Sequence, residues 1–109
     1  MATTYKVLAQ VNPSATTATT AYTVPSATET VVSTITVANL SASAVSYRIA
    51  VRPDGATLAN QHYIAYGVAL AANDTTALTL GLTLNAADVI TVYASTADLA
   101  FNVYGSEIA

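Results

Sequence analysis

Leu78, Leu80, Leu82 and Leu84 occupy every second position of one run, against Ala77, Thr79, Gly81 and Thr83. A period of two sends successive side chains to opposite sides of an extended strand. A helix would scatter these leucines around its circumference, so the run excludes a helical zipper. The same alternation recurs along the chain. In Glu29 to Ala38, the residues Val31, Ser33, Ile35 and Val37 are expected on one face, with Val32, Thr34, Thr36 and Ala38 on the other. Val45, Tyr47, Ile49 and Val51 alternate with Ser46, Arg48, Ala50 and Arg52, which predicts one buried face and a second face carrying two arginines. Shorter extended segments are predicted at Thr4 to Val11, Ala21 to Val24, Gln61 to Ala69, Val89 to Ala94 and Leu99 to Tyr104, with Gly67 marking a bulge.

Turn residues punctuate these runs. Asn12-Pro13-Ser14, Pro25-Ser26, Asn39 to Ala44, Pro53-Asp54-Gly55, Ala71 to Asp74, Asn85 to Asp88 and Ser95 to Asp98 all combine residues that fix φ, tolerate positive φ or bond the local backbone. Strands with short connections at this spacing predict an all-β chain: an antiparallel β-sandwich of immunoglobulin-like or jelly-roll type with about eight strands. One domain is expected over residues 1–109, because half a chain of this length buries too little surface to fold well alone. Residues 1–20, with their break at Asn12-Pro13 and the Ala/Thr stretch from Ala15, are also expected to be available as an N-terminal arm contacting neighbours. The predicted core is Val31, Ile35, Val37, Tyr47, Ile49, Val51, Leu78, Leu80, Leu82, Val92, Leu99, Phe101 and Val103.

The surface is unusual for its lack of charge. Only 8% of residues are charged, a third of the ~25% typical of soluble domains. Lys6, Arg48 and Arg52 stand against Glu29, Asp54, Asp74, Asp88, Asp98 and Glu107. Ala and Thr, 23 and 18 of the 109 residues, fill the positions that charge would normally take, and they give up little side-chain freedom when covered. Such a surface suits burial against a partner. Three basic residues and a net charge of −3 argue against a nucleic-acid partner, since few phosphates can be neutralised. Polar residues interrupt every apolar run well short of the ~18 needed to span a bilayer, so no membrane partner is expected. There is no cysteine, hence no disulfide and no thiolate metal site.

Catalytic chemistry finds little footing. His62 is the one histidine, and nucleophilic catalysis needs a base beside a nucleophile. Paired carboxylates such as Asp88 with Asp98, or Asp54 with Asp74, would suit general acid–base work, yet Asp54, Asp74 and Asp98 lie where Asx side chains ordinarily cap turns. No loop carries the acidic density of a calcium site, and the four glycines form no phosphate-cradling turn. No enzyme activity, catalytic residue, cofactor or metal is expected. The enriched large side chain is tyrosine, at Tyr5, Tyr22, Tyr47, Tyr63, Tyr66, Tyr93 and Tyr104, which combines apolar area with a hydroxyl and suits interfaces. By simple alternation Tyr63 and Tyr66 fall on opposite faces. Tyr5, Tyr63, Tyr66, Arg48 and Arg52 are the candidate interface residues, the arginines being expected to pair with Glu29 or with a carboxylate of another subunit.

The run Tyr22-Thr23-Val24-Pro25-Ser26-Ala27-Thr28-Glu29-Thr30-Val31-Val32-Ser33-Thr34-Ile35-Thr36-Val37-Ala38-Asn39, followed by Tyr47-Arg48-Ile49-Ala50-Val51, resembles small β-sandwich virion proteins of tailed bacteriophages. Tyr5-Lys6-Val7-Leu8-Ala9-Gln10 and Leu99-Ala100-Phe101-Asn102-Val103-Tyr104-Gly105 are similar to the same group. Such sequences often place Gly after the Tyr-Thr-Val-Pro turn, where this one has Ser26-Ala27, which bears on the geometry of that turn. The resemblance implies a virion structural protein made in the host cytoplasm. Within that, the expected role is capsid decoration or cementing, with partners in copies of itself, a trimer being one closed form, and in virion proteins such as the major capsid protein. The alternatives are a tail, neck or fibre component, or a glycan-binding module that uses Tyr63 or Tyr66 as a stacking platform. A carboxylate-based hydrolase is the weakest reading.

Overall fold

The computed structural model describes residues 2–109 and contains eight strands: β1 (Thr3–Val11), β2 (Thr19–Thr23), β3 (Glu29–Asn39), β4 (Val45–Arg52), β5 (Tyr63–Leu70), β6 (Thr75–Leu84), β7 (Val89–Ala94) and β8 (Leu99–Ile108). All pairings are antiparallel, β1 with β8, β2 with β7, β3 with β6 and β4 with β5, with further ladders joining β3 to β8 and β4 to β7. The first four pairings are those of one long hairpin with its tip between β4 and β5. Rolling that hairpin up distributes it into two sheets, β1-β8-β3-β6 and β2-β7-β4-β5. Every connection except β4–β5 then crosses from one sheet to the other. That winding is the jelly roll, and it decides between the two sandwich types left open by the sequence.

Period-two alternation explains why each strand turns one face inward, but three bulges decide which residues those are. In β3, Val32 and Thr34 pair with the adjacent Gly105 and Tyr104 of β8, so Ser33 is an extra residue in that ladder. Thr30 and Val32 face the core before it, and Ile35, Val37 and Asn39 after it. The expected face containing Val31 and Ser33 is therefore wrong for that half of the strand. β1 carries an extra residue at Leu8, between Val7 and Ala9. β6 carries Leu80 and Gly81 between residues paired to Thr34 and Val32, with Gly81 at φ 63°. These irregularities lie at one level across the sheet. Beside them is Gly105 of β8, where an added Cβ would lie 2.0 Å from the Val31 carbonyl oxygen.

Leu80 was expected in the core with the other leucines and instead is 41% exposed, because the bulge takes it out of the alternation. Leu78 and Leu82 pack partly against the core, and Leu84 is buried. Of the other core predictions, Ile35, Val37, Tyr47, Ile49, Val92, Leu99, Phe101 and Val103 are buried, Val51 packs against them, and Val31 is half-buried on the opposite face. Phe101 meets Tyr47 edge-to-face across the two sheets, with ring centroids 6.3 Å apart. Residues 3–11, also expected to serve as an arm, are paired along β8 as a sheet edge.

The loops gather at two ends. At one, the buried Asn39 side chain donates from Nδ2 to the carbonyls of Ser43, Leu70 and Ala71 and accepts at Oδ1 from the Ser41 amide and hydroxyl, joining the β3–β4 and β5–β6 turns. At the other, Asp88 accepts at Oδ1 from the Asp54 amide and at Oδ2 from the Asn85 amide, each at 2.8 Å, tying the β4–β5 loop to the β6–β7 turn. Ala27, in the turn after Pro25, has φ 53°. It holds a left-handed conformation that Gly would adopt without strain.

Candidate interaction surfaces

The outer face of β7-β4-β5 carries most of the side chains singled out in the sequence. Arg48 on β4 lies opposite Tyr93 on β7, and its guanidinium carbon is 4.2 Å from the Tyr93 ring centre and 4.3 Å from that of Tyr66. The cation is thus held between two tyrosine rings, an arrangement whose attraction comes from the negative faces of the rings. Tyr63 and Tyr66, expected on opposite faces, touch edge-to-face with centroids 4.9 Å apart. The ladder irregularities around Ile64 and around Tyr66–Gly67, where Gly67 has φ 63°, remove the strict alternation that would have separated them. Asn60, Tyr63 and Tyr66 line a shallow cleft of about 310 Å³, and Tyr66 is 61% exposed.

Arg52 does not meet an acid. Its Nε donates to Thr91 Oγ1 at 3.0 Å, and its Nη1 donates to the carbonyls of Gly55 and Ala56, so it folds the β4–β5 loop against the sheet. Neither arginine pairs with Glu29. Among the described residues the one ion pair is Lys6 with Glu107, at 3.0 Å. Tyr5, the remaining candidate, is 83% exposed on β1, in the other sheet. The five candidates therefore fall on two sheets: Tyr63, Tyr66, Arg48 and Arg52 on one, Tyr5 on the other.

The groups with chemical potential are used locally. His62 accepts at Nδ1 from the Ala59 amide at 3.0 Å, closing the turn that leads into β5. Asp74 accepts from the Thr75 amide, Asp98 from the Thr96 hydroxyl, and Asp88 binds two backbone amides as above. Among the described residues no group of His, Asp and Glu side chains is arranged to hold a metal ion. The most perturbed cluster joins the two sheets: Tyr22 donates to Glu107 Oε2 at 2.5 Å, its hydroxyl also meets Thr30 Oγ1 at 2.9 Å, and Lys6 holds the other Glu107 oxygen. Burial, reinforced by the Glu107 hydrogen bond, pushes the Tyr22 hydroxyl up to about 12. The hydrogen bond from Tyr22, then that from Lys6, holds Glu107 below the usual carboxylate value. Burial raises Tyr47 as well.

A surface feature missed by strand-by-strand reading is the long interval without charge. From Gly55 to Ala87, Asp74 is the single Asp, Glu, Lys or Arg. This interval supplies β5 and β6, the adjacent edges of the two sheets at one side of the jelly roll. Ile64, Tyr66, Val68 and Leu80 are exposed there, four of the seven large apolar side chains exposed among the described residues. A count of charge along the sequence would have found the interval; its gathering on one side depends on the topology.

Comparison with protein-family models, with curated proteins and with solved structures found no match to this chain.

Proposed function

We propose that this chain is a non-catalytic, self-associating structural subunit of a bacteriophage virion, with capsid decoration or cementing as its role. The observation that carries the reading is the disposition of charge. The Lys6–Glu107 pair is satisfied within the subunit, Arg48 is stacked between rings, Arg52 is spent on a loop, and several carboxylates cap turns. What remains facing outward is mainly Ala, Thr and large apolar side chains, a surface that loses little entropy and sheds little hydration when covered. The resemblance of the Tyr22–Asn39 and Tyr47–Val51 runs to small phage virion proteins supplies the context, and the jelly roll is a winding used by capsid domains. A fold hosts many functions, so the winding alone carries no role. The test is composition and imaging of purified particles: the chain is expected as a stoichiometric component traced on the capsid exterior. Its absence from particles would remove the virion reading.

The cleft beside Asn60, Tyr63 and Tyr66 favours a second reading, a glycan-binding module displayed on the virion. An exposed aromatic ring next to an amide offers a sugar both a stacking face and a hydrogen-bonding group. A sugar array separates the readings: binding that Tyr66→Ala abolishes would support the module, and a blank array would reject it.

A further inference from the structure

We infer that the side of the jelly roll formed by β5 and β6 is where a second copy of this chain docks; the inference rests on the reading of the protein as a self-associating subunit. Edge strands carry unpaired backbone groups, and proteins protect them with charge, brevity or bulges. At the opposite side, β1 is guarded by the Lys6–Glu107 pair and β2 is only five residues long. On β5 and β6 there is no charged side chain over eight and ten residues, and Ile64, Val68 and Leu80 are each 40% to 42% exposed.

Three considerations make the occupant another copy. First, the chain carries a net charge of −3, so copies repel unless they meet where carboxylates are absent. Along its strands this side is such a place, since Asp74 lies in the turn at one end of it and Asp54 and Asp88 in the loops at the other, while Glu29 and Glu107 lie on β3 and β8 and Asp98 in the β7–β8 turn. Second, obligate homodimer interfaces are more apolar than those formed with a transient different partner, and the strands on this side carry no charge. Third, the size fits. Ten residues of β6 extend about 33 Å, and two sheets ~10 Å apart with their outward side chains are about 20 Å thick, giving on the order of 600 Å² in plan, close to the ~800 Å² per partner of a standard interface. The ladder irregularities at Ile64, at Tyr66–Gly67 and at Leu80–Gly81 break both edges into short runs. Contact is therefore made by apolar side chains packing together, not by extending either sheet through the partner.

Sedimentation equilibrium of the intact protein over a concentration series tests this directly. Wild-type protein is expected to self-associate, and Val68→Lys and Leu80→Lys each to weaken association at least tenfold. Tyr5→Lys and Val7→Lys, on the far edge, are expected to leave it within twofold. All four positions are exposed, so thermal unfolding at the lowest concentration should show folded subunits throughout. Unchanged association in both Val68→Lys and Leu80→Lys, with loss in Tyr5→Lys, would move the interface to β1 and overturn the inference while leaving self-association intact. A wild-type protein that stays monomeric at every concentration would overturn both. Absence of the chain from virions would bear on the virion reading alone.

Discussion

Gly105 presents the most demanding packing constraint in the fold. It lies on β8 where that strand runs against β3, at the level of the Ser33 bulge, paired with Val32 on one side and Lys6 on the other. A Cβ there would sit 2.0 Å from the Val31 carbonyl oxygen and 3.0 Å from both Val31 C and Val32 Cα. All three are backbone atoms in the middle of a four-stranded sheet, so no side chain can swing away. To reach an ordinary contact of ~3.2 Å the strands must part by about 1 Å, which strains the sheet by about 1 to 3 kcal/mol and weakens one or two ladder hydrogen bonds worth about 1 kcal/mol each. Gly105→Ala should therefore destabilise the protein by about 3 kcal/mol, roughly 10 °C or more in midpoint for a domain of this size. Gly81→Ala makes the informative comparison. Nothing lies within 4 Å of its Cβ position, and the penalty there comes only from φ 63°, about 1 kcal/mol. Urea titrations followed by circular dichroism, run on both variants and on Gly81→Asn, which tolerates the left-handed region, would separate close approach from backbone strain. A Gly105→Ala variant within 0.5 kcal/mol of wild type, on the order of the noise of such fits, would refute the reasoning.

Leu80→Ala is expected to cost under about 1 kcal/mol, because the side chain is already partly in water, whereas Phe101→Ala should cost about 3 to 5 kcal/mol; equal losses in monomeric protein would show the β6 bulge to be misplaced. Stability should fall as pH rises between 10 and about 12, because the buried Tyr22 hydroxyl keeps its proton in the folded state after the unfolded chain has lost it. The contribution is on the order of 2 kcal/mol and is present in full below pH 10. Tyr22→Phe should flatten that limb of the stability profile, and an unaltered profile would count against it. The lowered Glu107 carboxyl works with the opposite sign, stabilising above the ordinary glutamate value near 4.5 and losing its effect as pH falls through its depressed value, a loss that Glu107→Gln should remove from an acid titration. Ala27→Gly should stabilise by a few tenths to about 1 kcal/mol, since relief of the positive φ outweighs the added chain entropy; a destabilised variant would mean that the turn is not strained.

Much of the architecture was legible because period two is a robust signal: the alternating runs and the Pro, Asn and Asp turns located all eight strands. The winding was not, because it depends on which strands pair over long separations, and local chemistry is silent on that. The faces failed where bulges intervene. Ser33 gives no sign of being an extra residue, and Val31 and Val32 are the same amino acid, so nothing local says which is inside. Gly81 offered a sign beside Leu80 that the leucine repeat obscured. For the candidate surfaces, alternation alone left open which of Tyr63 and Tyr66 is exposed, the contact between them required two ladder shifts, and the ring-stacked Arg48 required a neighbouring strand.

The position of β8 has a consequence in time. It is the last of the eight strands in chain order, yet it lies between β1 and β3, and it brings Leu99, Phe101 and Val103 to the centre of the core. Until it arrives, β1 has no partner in its sheet and β3 lacks one of its two neighbours, so a growing chain holds vacant strand edges until residues 99–108 are made. The pairing of Thr3 with Ile108 closes a loop of about a hundred residues, which places folding among the slow, non-local topologies completed in milliseconds to seconds. A nascent chain arrested before residue 99 should therefore be protease-sensitive along its whole length, acquiring protection in a single step once β8 has emerged.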